Sequence, residues 1–528
     1  MSAAAQYEFL VFLLFSIFVL ELLARRLRLP PAAAFILGGI VLALVPGVPT
    51  FEIDPDLVLL IFMPPLLMNG AYFTVWRDFK ANISGILLLA LGAVAFTTLA
   101  VGLAAKLMLP DLPWAVCFAL GAIVSPPDAV AAGAVLERLS LPSRMSALLQ
   151  GESLLNDASG LVLFRFAVAA ALTGTFSATA ALGSFCLLSI GGVAFGLAVG
   201  QVGLFVIRRV RDSELAITAT LLLAAVSYVG GERLHVSGVL ATVATGLLLG
   251  WHQHSAFTAK TRIRSQAFWK VLVFLLESIL FILIGLSLRG VLARVGGAEH
   301  GASTFLMPLL SVVATVILSR FVWLFGSESV RLVVRRRASR QSEESSFATA
   351  TVMSWAGMRG VVTLAAALSL PTEVPGRDFV LLSSFAVILV TVLLQGTTLG
   401  PLISLLRMTG RGGLKFRQDS EDLAWMRMTE AQFQTISTLS HRPDRSERHP
   451  RLLEQFGYRA RVAAQYTTDR ETHLPQKIEH FNAVIASIKA GRSEILRMHS
   501  SGEIHDRVLR DLENELDLQE MVAESHTG

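Results

Sequence analysis

The sequence predicts an all-α polytopic membrane protein of about 13 transmembrane helices, followed by a helical tail in the cytoplasm. Hydrophobic residues make up 53% of the 528 residues and charged residues only 16%, with a mean hydropathy of +0.60. A soluble enzyme would carry about 25% charged residues. Apolar runs of about 20 residues, each long enough to cross a hydrocarbon core of about 30 Å, recur over roughly the first 405 residues. Basic residues, finally, concentrate in alternate loops.

The apolar runs define the predicted spans in chain order. They cover roughly residues 7–24, 32–49, 57–75, 83–107, 113–137, 145–173, 182–207, 214–231, 235–251, 270–289, 303–325, 346–370 and 378–405. We expect the first span to be retained as a membrane helix. Glu8 stands at its start, and the run Arg-Arg-Leu-Arg at 25–28 follows it where a signal peptide would have a small-residue cleavage site.

Basic residues outside the spans predict the orientation of the chain. One set of alternate loops holds Arg25, Arg26, Arg28, Arg77, Lys80, Arg138, Arg144, Arg208, Arg209, Arg211, Lys260, Arg262, Arg264, Arg331, Arg335, Arg336, Arg337 and Arg340. The other set holds little more than Lys106, Arg233, Arg289, Arg294 and Arg377. By the positive-inside rule the amino terminus is outside and the carboxyl terminus is cytoplasmic. The net charge of +5 therefore reflects topology, and no nucleic-acid partner is expected.

The fifth predicted span is interrupted by Ser-Pro-Pro-Asp at 125–128. Two prolines in a row remove two backbone donors and stop the helix, which leaves carbonyls of the preceding turn unpaired. Such a break is tolerated at membrane depth only where it is buried or lines a polar cavity. Asp128 follows the break and can cap the second half-helix, while the freed carbonyls are potential cation ligands. The alternative is a proline kink that serves packing alone.

The sixth predicted span contains two carboxylates near the expected bilayer midplane. The run Gly-Glu-Ser-Leu-Leu-Asn-Asp at 151–157 lies between apolar segments. Ser153 and Asp157 are four residues apart and share one helix face, and Glu152 and Asn156 share the adjacent face. Ionisable groups at this depth are costly and usually mark an ion or proton path. We therefore expect the chain to move a cation or proton across a membrane.

The twelfth predicted span is interrupted too, by Trp-Ala-Gly-Met-Arg-Gly at 355–360. A buried arginine cannot lose its charge, so Arg359 is expected to need an anionic partner. The candidates are Glu152, Asp157, Asp128 and Glu277, and Arg165 of the sixth span could compete for them. Interrupted helices at corresponding positions of two halves are typical of inverted-repeat transporters. Spans five and twelve are seven apart, which suits two inverted six-helix repeats joined by one extra span.

The composition changes from about residue 411. Gly-Arg-Gly-Gly at 410–413 is a candidate hinge, and the following residues are charged and lack a membrane-length apolar run. Apolar residues recur at helical spacing in 478–498 and 504–521. We therefore expect residues 1–408 to form the transmembrane domain and 409–528 a cytoplasmic helical domain that packs on the membrane face or dimerises.

Several motifs in the spans resemble those of the cation:proton antiporter-1 family, which comprises sodium/proton exchangers. The run at 151–157 matches the signature of the family and is highly specific. Met-Pro-Pro-Leu-Leu at 63–67, Phe-Leu-Leu-Glu at 274–277, Phe-Ile-Leu-Ile-Gly at 281–285 and Gly-Met-Arg-Gly at 357–360 match further motifs in the family's order. The resemblance covers about residues 7–405, and the tail is similar, less specifically, to the extension of bacterial members.

The resemblance implies a set of site residues. The cation- and proton-binding candidates are Asp157, Ser153, Asn156, Asn69, Ser125 and Asp128, with Asp157 and Ser153 as ligands of the transported sodium ion. Backbone carbonyls near 125–127 would complete its oxygen shell, Asn156 would stabilise the crossing of the broken helices, and Glu152 would form a buried ion pair with Arg359. Members of the family commonly have an acid in place of Asn69 and a hydroxyl residue in place of Pro127. We therefore expect the cation selectivity and cation affinity of this chain to differ from those of such members.

The resemblance also implies the activity and its setting. The expected function is electroneutral exchange of sodium, or lithium, for protons in pH and sodium homeostasis. The protein would be a homodimer in the lipid of the bacterial inner membrane, with no cofactor besides the transported Na⁺ and H⁺. One free carboxylate fits this reaction, because Asp157 can hold a proton or a sodium ion but not both.

Three alternatives to this function follow from the same sequence. The first is potassium/proton exchange, because the cavity dimensions that set selectivity cannot be read from sequence. The second is an ion channel, but no filter similar to Thr-Val-Gly-Tyr-Gly appears and the paired breaks suit a carrier. The third is a membrane enzyme such as an aspartyl protease built on Asp128 and Asp157, but the Gly-x-Gly-Asp motif of that class is absent. A transporter rather than an enzyme is therefore expected.

Overall fold

The computed structural model describes residues 3–45, 55–128, 143–175, 177–294, 298–337, 347–406, 411–440, 448–468 and 470–525. The chain divides into two compact units, Met1–Gly410 and Arg411–Gly528. Throughout the described residues the regular structure is helical.

The first unit contains fifteen described helices, which we number in chain order. They are α1 Ala3–Leu27, α2 Pro31–Leu44, α3 Pro55–Tyr72, α4 Trp76–Ala81, α5 Ile83–Met108, α6 Trp114–Val124, α7 Ser143–Thr173, α8 Ala178–Ile207, α9 Ser213–Arg233, α10 Gly238–Ala256, α11 Ala259–Arg294, α12 Ala298–Arg337, α13 Phe347–Trp355, α14 Val361–Leu368 and α15 Arg377–Leu405. Short π-helical segments occur in α5, at Leu88–Ala93, and in α15, at Thr391–Gln395.

Eight helices in the described chain are long and apolar enough to cross a membrane. They are α1, α5, α7, α8, α9, α11, α12 and α15. Three further apolar helices, α2, α6 and most of α3, are shorter. The all-α polytopic class is thus confirmed, whereas the total of 13 spans stays a prediction.

Two of the apolar segments are broken where the sequence predicts. Helix α6 ends at Val124 because Pro126 and Pro127 cannot donate the next backbone hydrogen bonds. Helix α13 ends at Trp355, and α14 starts at Val361 after an irregular stretch. Residues 129–137, the predicted second half of the fifth span, lie outside the described residues. The two breaks leave irregular backbone within the membrane unit.

The membrane helices pack in two groups that position the breaks. In the first group α6 packs between α5 and α7, and α12, α14 and α15 complete a shared apolar core. In the second group α10 packs against α3, α8 and α9, with a core that includes Tyr72, Leu204 and Trp269. Helix α2 lies along α11 at very short range, because Gly39 and Gly285 face each other and a side chain on either would overlap the opposite backbone.

The second unit contains four helices: α16 Arg411–Ser440, α17 Pro450–Thr468, α18 Arg470–Ser500 and α19 Asp506–Glu524. Helix α16 packs against α17, and α18 against α19. Arg492 of α18 forms ion pairs with Asp517 (2.6 Å) and Glu520 (2.7 Å) of α19. Gly502 adopts a φ of +77° in the turn between these helices, a conformation that favours glycine. The described residues of this unit are thus helical, as the apolar spacing predicts.

Candidate cation and proton site

The two breaks cross and bond to each other through their backbones. The Asp128 N–H donates to the Met358 carbonyl oxygen at 2.7 Å. The Asp128 carboxylate lies so close to Gly360 that a Cβ at this glycine would overlap it. The structure therefore brings spans five and twelve together at Asp128.

Arg359 bonds to carbonyl oxygens at the end of a helix. It is buried, its Nε donates to the Val124 carbonyl at 2.9 Å, and one of its terminal nitrogens donates to the Ser125 carbonyl at 3.2 Å. The other terminal nitrogen contacts the Gly357 carbonyl. These carbonyls include the last of α6, where the helix dipole is negative. The guanidinium thus caps the broken helix, and the partial negative charges of backbone carbonyl oxygens stabilise its positive charge.

Asn156 fixes α7 against the same break. Its side-chain N–H donates to the Pro127 carbonyl at 2.6 Å, and the residue is fully buried. The Oδ1 of Asn156 is buried and has no hydrogen-bond partner among the described residues. Three residues on, the Ser159 hydroxyl donates to the Ala90 carbonyl at 2.6 Å, within the π-helical segment of α5. Asn156 therefore joins α7 to the crossing and leaves one acceptor unused.

The carbonyls that the sequence offers as cation ligands already accept hydrogen bonds. Val124 and Ser125 accept from Arg359, and Pro127 accepts from Asn156. The Ser125 hydroxyl is buried, donates to the Ala122 carbonyl at 3.1 Å and lies 3.2 Å from the Thr98 hydroxyl. Each carbonyl keeps a second lone pair, so these atoms support the crossing and retain limited capacity for a cation.

Glu152 pairs with Arg320, and the predicted Glu152–Arg359 ion pair is wrong. Both terminal nitrogens of Arg320 donate to the Glu152 carboxylate, at 2.6 and 2.9 Å, and the two residues are 1% and 3% exposed. Arg320 Nε donates to the Met353 carbonyl at 3.1 Å. A Cβ at Gly357 would overlap the Arg320 side chain, so this glycine gives Arg320 room to reach the carboxylate.

Sequence reasoning missed Arg320 although a signal was present. The residue interrupts the apolar run 303–325, the eleventh predicted span, in the same way that Arg165 interrupts the sixth. A lone arginine within a span requires a partner. The expectation that Arg359 needs a carboxylate was too narrow, because carbonyls freed by the proline break stabilise its charge.

Asp157 lies on α7 next to the crossing and is partly buried. Among the described residues no side chain or backbone group forms a hydrogen bond or ion pair with it. The charge of Asp128 acts on it electrostatically. Ser153 lies one turn before Asp157 on the same helix and has contacts of its own. Within the described chain, Asp157 is therefore a carboxylate that the protein does not neutralise.

Asn69 lies on α3, which approaches α7 close to Ser153. A Cβ at Gly70 would lie 3.1 Å from the Leu154 side chain. The two helices therefore contact each other at Gly70 and Leu154, the residues that directly follow Asn69 and Ser153. Asn69 is partly buried. The structure thus brings α3 to the helix that carries Asp157, and the role of Asn69 in cation binding stays a prediction.

Arg165 does not compete for the acids of the crossing. It forms an ion pair of 2.8 Å with Glu232 of α9, and the two side chains are 57% and 32% exposed. Glu232 also accepts from the Gly238 N–H at the start of α10. No cluster of three or more His, Cys, Asp or Glu side chains suited to a metal ion occurs in the part of the chain that the structure describes.

Comparison with protein families gives a match that covers most of the membrane unit. Residues 10–405 match the model of the family described as "Sodium/hydrogen exchanger, transmembrane". An uncharacterised Na⁺/H⁺ exchanger of Mycobacterium bovis is 30% identical to this chain over 97% of the chain and 95% of its own length. The Na⁺/H⁺ antiporter NhaP of Pseudomonas aeruginosa is 32% identical over 72% of the chain and 92% of its own length.

A further relative and a solved structure extend this comparison. The sodium, potassium, lithium and rubidium/H⁺ antiporter of Bacillus pumilus is 33% identical over 69% of the chain and 56% of its own length. The structure of the sodium/proton antiporter MjNhaP1 of Methanocaldococcus jannaschii at pH 8 superposes with a TM-score of 0.59 at 21% identity, over 76% of this chain and 99% of that one. The fold is therefore that of this antiporter structure.

Proposed function

The chain belongs to the sodium/hydrogen exchanger family, and from this premise we propose that it exchanges sodium ions for protons across a membrane at Asp157. Family membership and the apolar helices support a multi-pass transporter rather than an enzyme. The relatives named as Na⁺/H⁺ exchangers support sodium and protons as the substrates.

The observation that carries this proposal is the different state of two carboxylates on α7. Glu152 is held by two hydrogen bonds from Arg320, so its charge is already balanced. Asp157 lacks such a partner among the described residues, although it lies beside the crossing of the broken helices. A carboxylate in this position gains a partner only by binding a proton or a cation. Occupation by one excludes the other, because both use the same negative charge.

Side-chain oxygens of five other residues complete the proposed site around Asp157. Ser153 shares its helix face, and Asn156 offers the unused Oδ1 acceptor. Asp128 and Ser125 belong to the crossing, and Asn69 approaches from α3. Sodium prefers such carboxylate, amide, hydroxyl and carbonyl oxygens. We assign these five residues to binding or orientation around Asp157, with Asp157 and Ser153 as direct ligands of the transported ion.

A single free carboxylate favours electroneutral exchange. One proton leaves Asp157 for each sodium ion that binds, so each cycle moves no net charge. We further propose a role in pH and sodium homeostasis, in a bacterial inner membrane with the amino terminus outside and the carboxyl terminus in the cytoplasm. A homodimer is part of this proposal. The distribution of basic residues between alternate loops supports the orientation.

Lithium and potassium are the competing cations. Lithium uses the same kind of oxygen site as sodium. Potassium is favoured by a specific observation, since the relative from Bacillus pumilus is named for potassium and rubidium as well as sodium and lithium. In addition, the amide of Asn69 gives the site one fewer charge than an acid would, and ligand charge affects the balance between cations.

Proton movement in vesicles tests the exchange directly. The purified full chain would be reconstituted into vesicles that enclose a pH-sensitive dye, and sodium, lithium or potassium chloride would be added outside. Sodium entry should drive protons out and make the interior more alkaline. A clamped membrane potential should leave the initial rate unchanged if the exchange is electroneutral. A protein that is folded and inserted but moves no protons with any of the three cations would refute the proposed function.

A further inference from the structure

The loop between α8 and α9 and the first turns of α11 form one basic surface at the ends of three membrane helices. The hydroxyl oxygens of Ser213 on α9 and Thr261 on α11 lie 3.1 Å apart. Glu214 forms an ion pair with Arg264 across the same gap. These contacts hold the two helix starts together. We call residues 208–214 and 259–264 the basic junction.

Both acids of the basic junction are engaged within the protein. Asp212 caps α9, since its carboxylate accepts from the Leu215 N–H at 2.9 Å. This N–H, with a smaller contribution from the charge of Lys260, lowers the pKa of Asp212. Glu214 is engaged by Arg264. Both carboxylates therefore have partners within the protein, and two acids can balance only part of the charge of the six basic residues in the junction.

Three cations of the basic junction point to an external partner. The side chains of Arg208, Arg211 and Lys260 are exposed and form no hydrogen bond or ion pair with any residue that the structure describes. Arg209, between the two arginines, is used differently: its guanidinium lies 3.5 Å from the centre of the Phe205 ring and bonds to the Phe205 carbonyl. The junction thus has an excess of positive charge that the chain does not satisfy.

Exposed apolar side chains lie directly beside these cations. Phe205 on α8, Leu215 on α9 and Ile263 on α11 are each more than half exposed. Beneath them Leu204, Ile207, Ala216 and Trp269 belong to one buried core cluster. The surface therefore combines unpaired basic side chains with neighbouring exposed apolar side chains, and a buried core supports both. It lies where membrane helices end.

We propose that the basic junction binds the headgroup of an anionic phospholipid. A phosphodiester is the anion that Arg and Lys side chains bind at a membrane surface, and the exposed Phe205, Leu215 and Ile263 suit its acyl chains. The apolar flank favours a lipid over a soluble phosphate, which would gain nothing from it. The inference depends on the membrane location of the chain and not on the exchange of sodium for protons.

Lipid-dependent stability of the full chain tests the site. The melting temperature would be measured in detergent with added dioleoylphosphatidylglycerol, with dioleoylphosphatidylcholine at the same mole fraction, or with glycerol 3-phosphate. We expect phosphatidylglycerol to raise the melting temperature above the value in phosphatidylcholine. The variant Arg208→Gln/Arg211→Gln/Lys260→Gln should lose most of this difference, with about fivefold weaker binding for each removed cation. Each protein is compared with itself in phosphatidylcholine, so a change in its basal stability does not affect the result.

A matched triple variant separates this site from a general effect of charge. Arg26→Gln/Arg77→Gln/Lys80→Gln removes three exposed bases from the predicted cytoplasmic loops outside the junction and should keep the full phosphatidylglycerol effect. Native mass spectrometry should show phosphatidylglycerol retained by the parent and by this control but lost from the junction variant. The proposal fails if both triple variants respond alike, or if glycerol 3-phosphate stabilises the parent as well as the lipid does.

Discussion

Glu152 and Asp157 are five residues apart on α7 and have opposite surroundings. Glu152 is almost fully buried and accepts two hydrogen bonds from Arg320. Asp157 is more exposed and has no hydrogen-bond or ion-pair partner among the described residues. Both are acids within a membrane span, so depth alone does not distinguish them. The difference is whether a basic side chain pairs with the carboxylate. The paired carboxylate of Glu152 supports the fold, whereas the unpaired carboxylate of Asp157 can exchange ions.

Removal of Arg320 should give the largest loss of stability. Arg320→Ala leaves Glu152 as an uncompensated buried charge, which is expected to lower the free energy of unfolding by about 3–5 kcal/mol. Thermal unfolding of purified protein in one detergent would measure it as a lower melting temperature. The double variant Glu152→Gln/Arg320→Gln should be more stable than Arg320→Ala, because no charge is left alone. A melting temperature of Arg320→Ala equal to that of the parent would show that Glu152 does not depend on Arg320.

Arg359 should matter less for stability, because its partners are backbone carbonyls. Arg359→Met leaves the carbonyls of Val124 and Ser125 without this donor, at a cost of about 2–3 kcal/mol, but leaves no carboxylate uncompensated. Its melting temperature should therefore fall between those of the parent and Arg320→Ala. A variant less stable than Arg320→Ala would indicate that Arg359, after all, balances a buried acid.

Gly360 tests the contact between the crossing and Asp128. In Gly360→Ala the new methyl group overlaps the Asp128 carboxylate, which should cost about 1–2 kcal/mol and slow sodium-driven proton movement. Gly400→Ala is the matched control, since no atom lies within 4 Å of the position of its Cβ. Equal exchange rates in vesicles for the two variants would show that Asp128 can move without consequence for transport.

The ion pair of Arg165 and Glu232 should have the smallest effect. Both side chains are partly exposed at the surface of the protein, and exposed ion pairs contribute about 0–1 kcal/mol. Arg165→Gln should therefore melt close to the parent, and any difference should shrink at high salt. A loss as large as that of Arg320→Ala would mean that this second ion pair of α7 is as essential as the buried one.

The sequence predicts the helix breaks and the ionisable residues of this site better than it predicts which residues form ion pairs. The breaks at 125–128 and 355–360 could be predicted because proline and glycine act locally on the backbone. The run at 151–157 was identifiable because acids are rare at membrane depth. The partner of Glu152, in contrast, lies 168 residues away in the chain, and several arginines were available. Charge alone could not choose among them, since the choice depends on Gly357 giving Arg320 room and on carbonyls that satisfy Arg359.

The central claim is that Asp157 is the carboxylate that exchanges a proton for sodium. The most direct measurement is proton release from purified protein in weakly buffered detergent when sodium chloride is added, for the parent and for Asp157→Asn. The parent should release one proton for each sodium ion bound. Asp157→Asn should release none, while its melting temperature stays closer to the parent than that of Arg320→Ala. Proton release by Asp157→Asn equal to that of the parent would contradict the claim and place the exchange at another group.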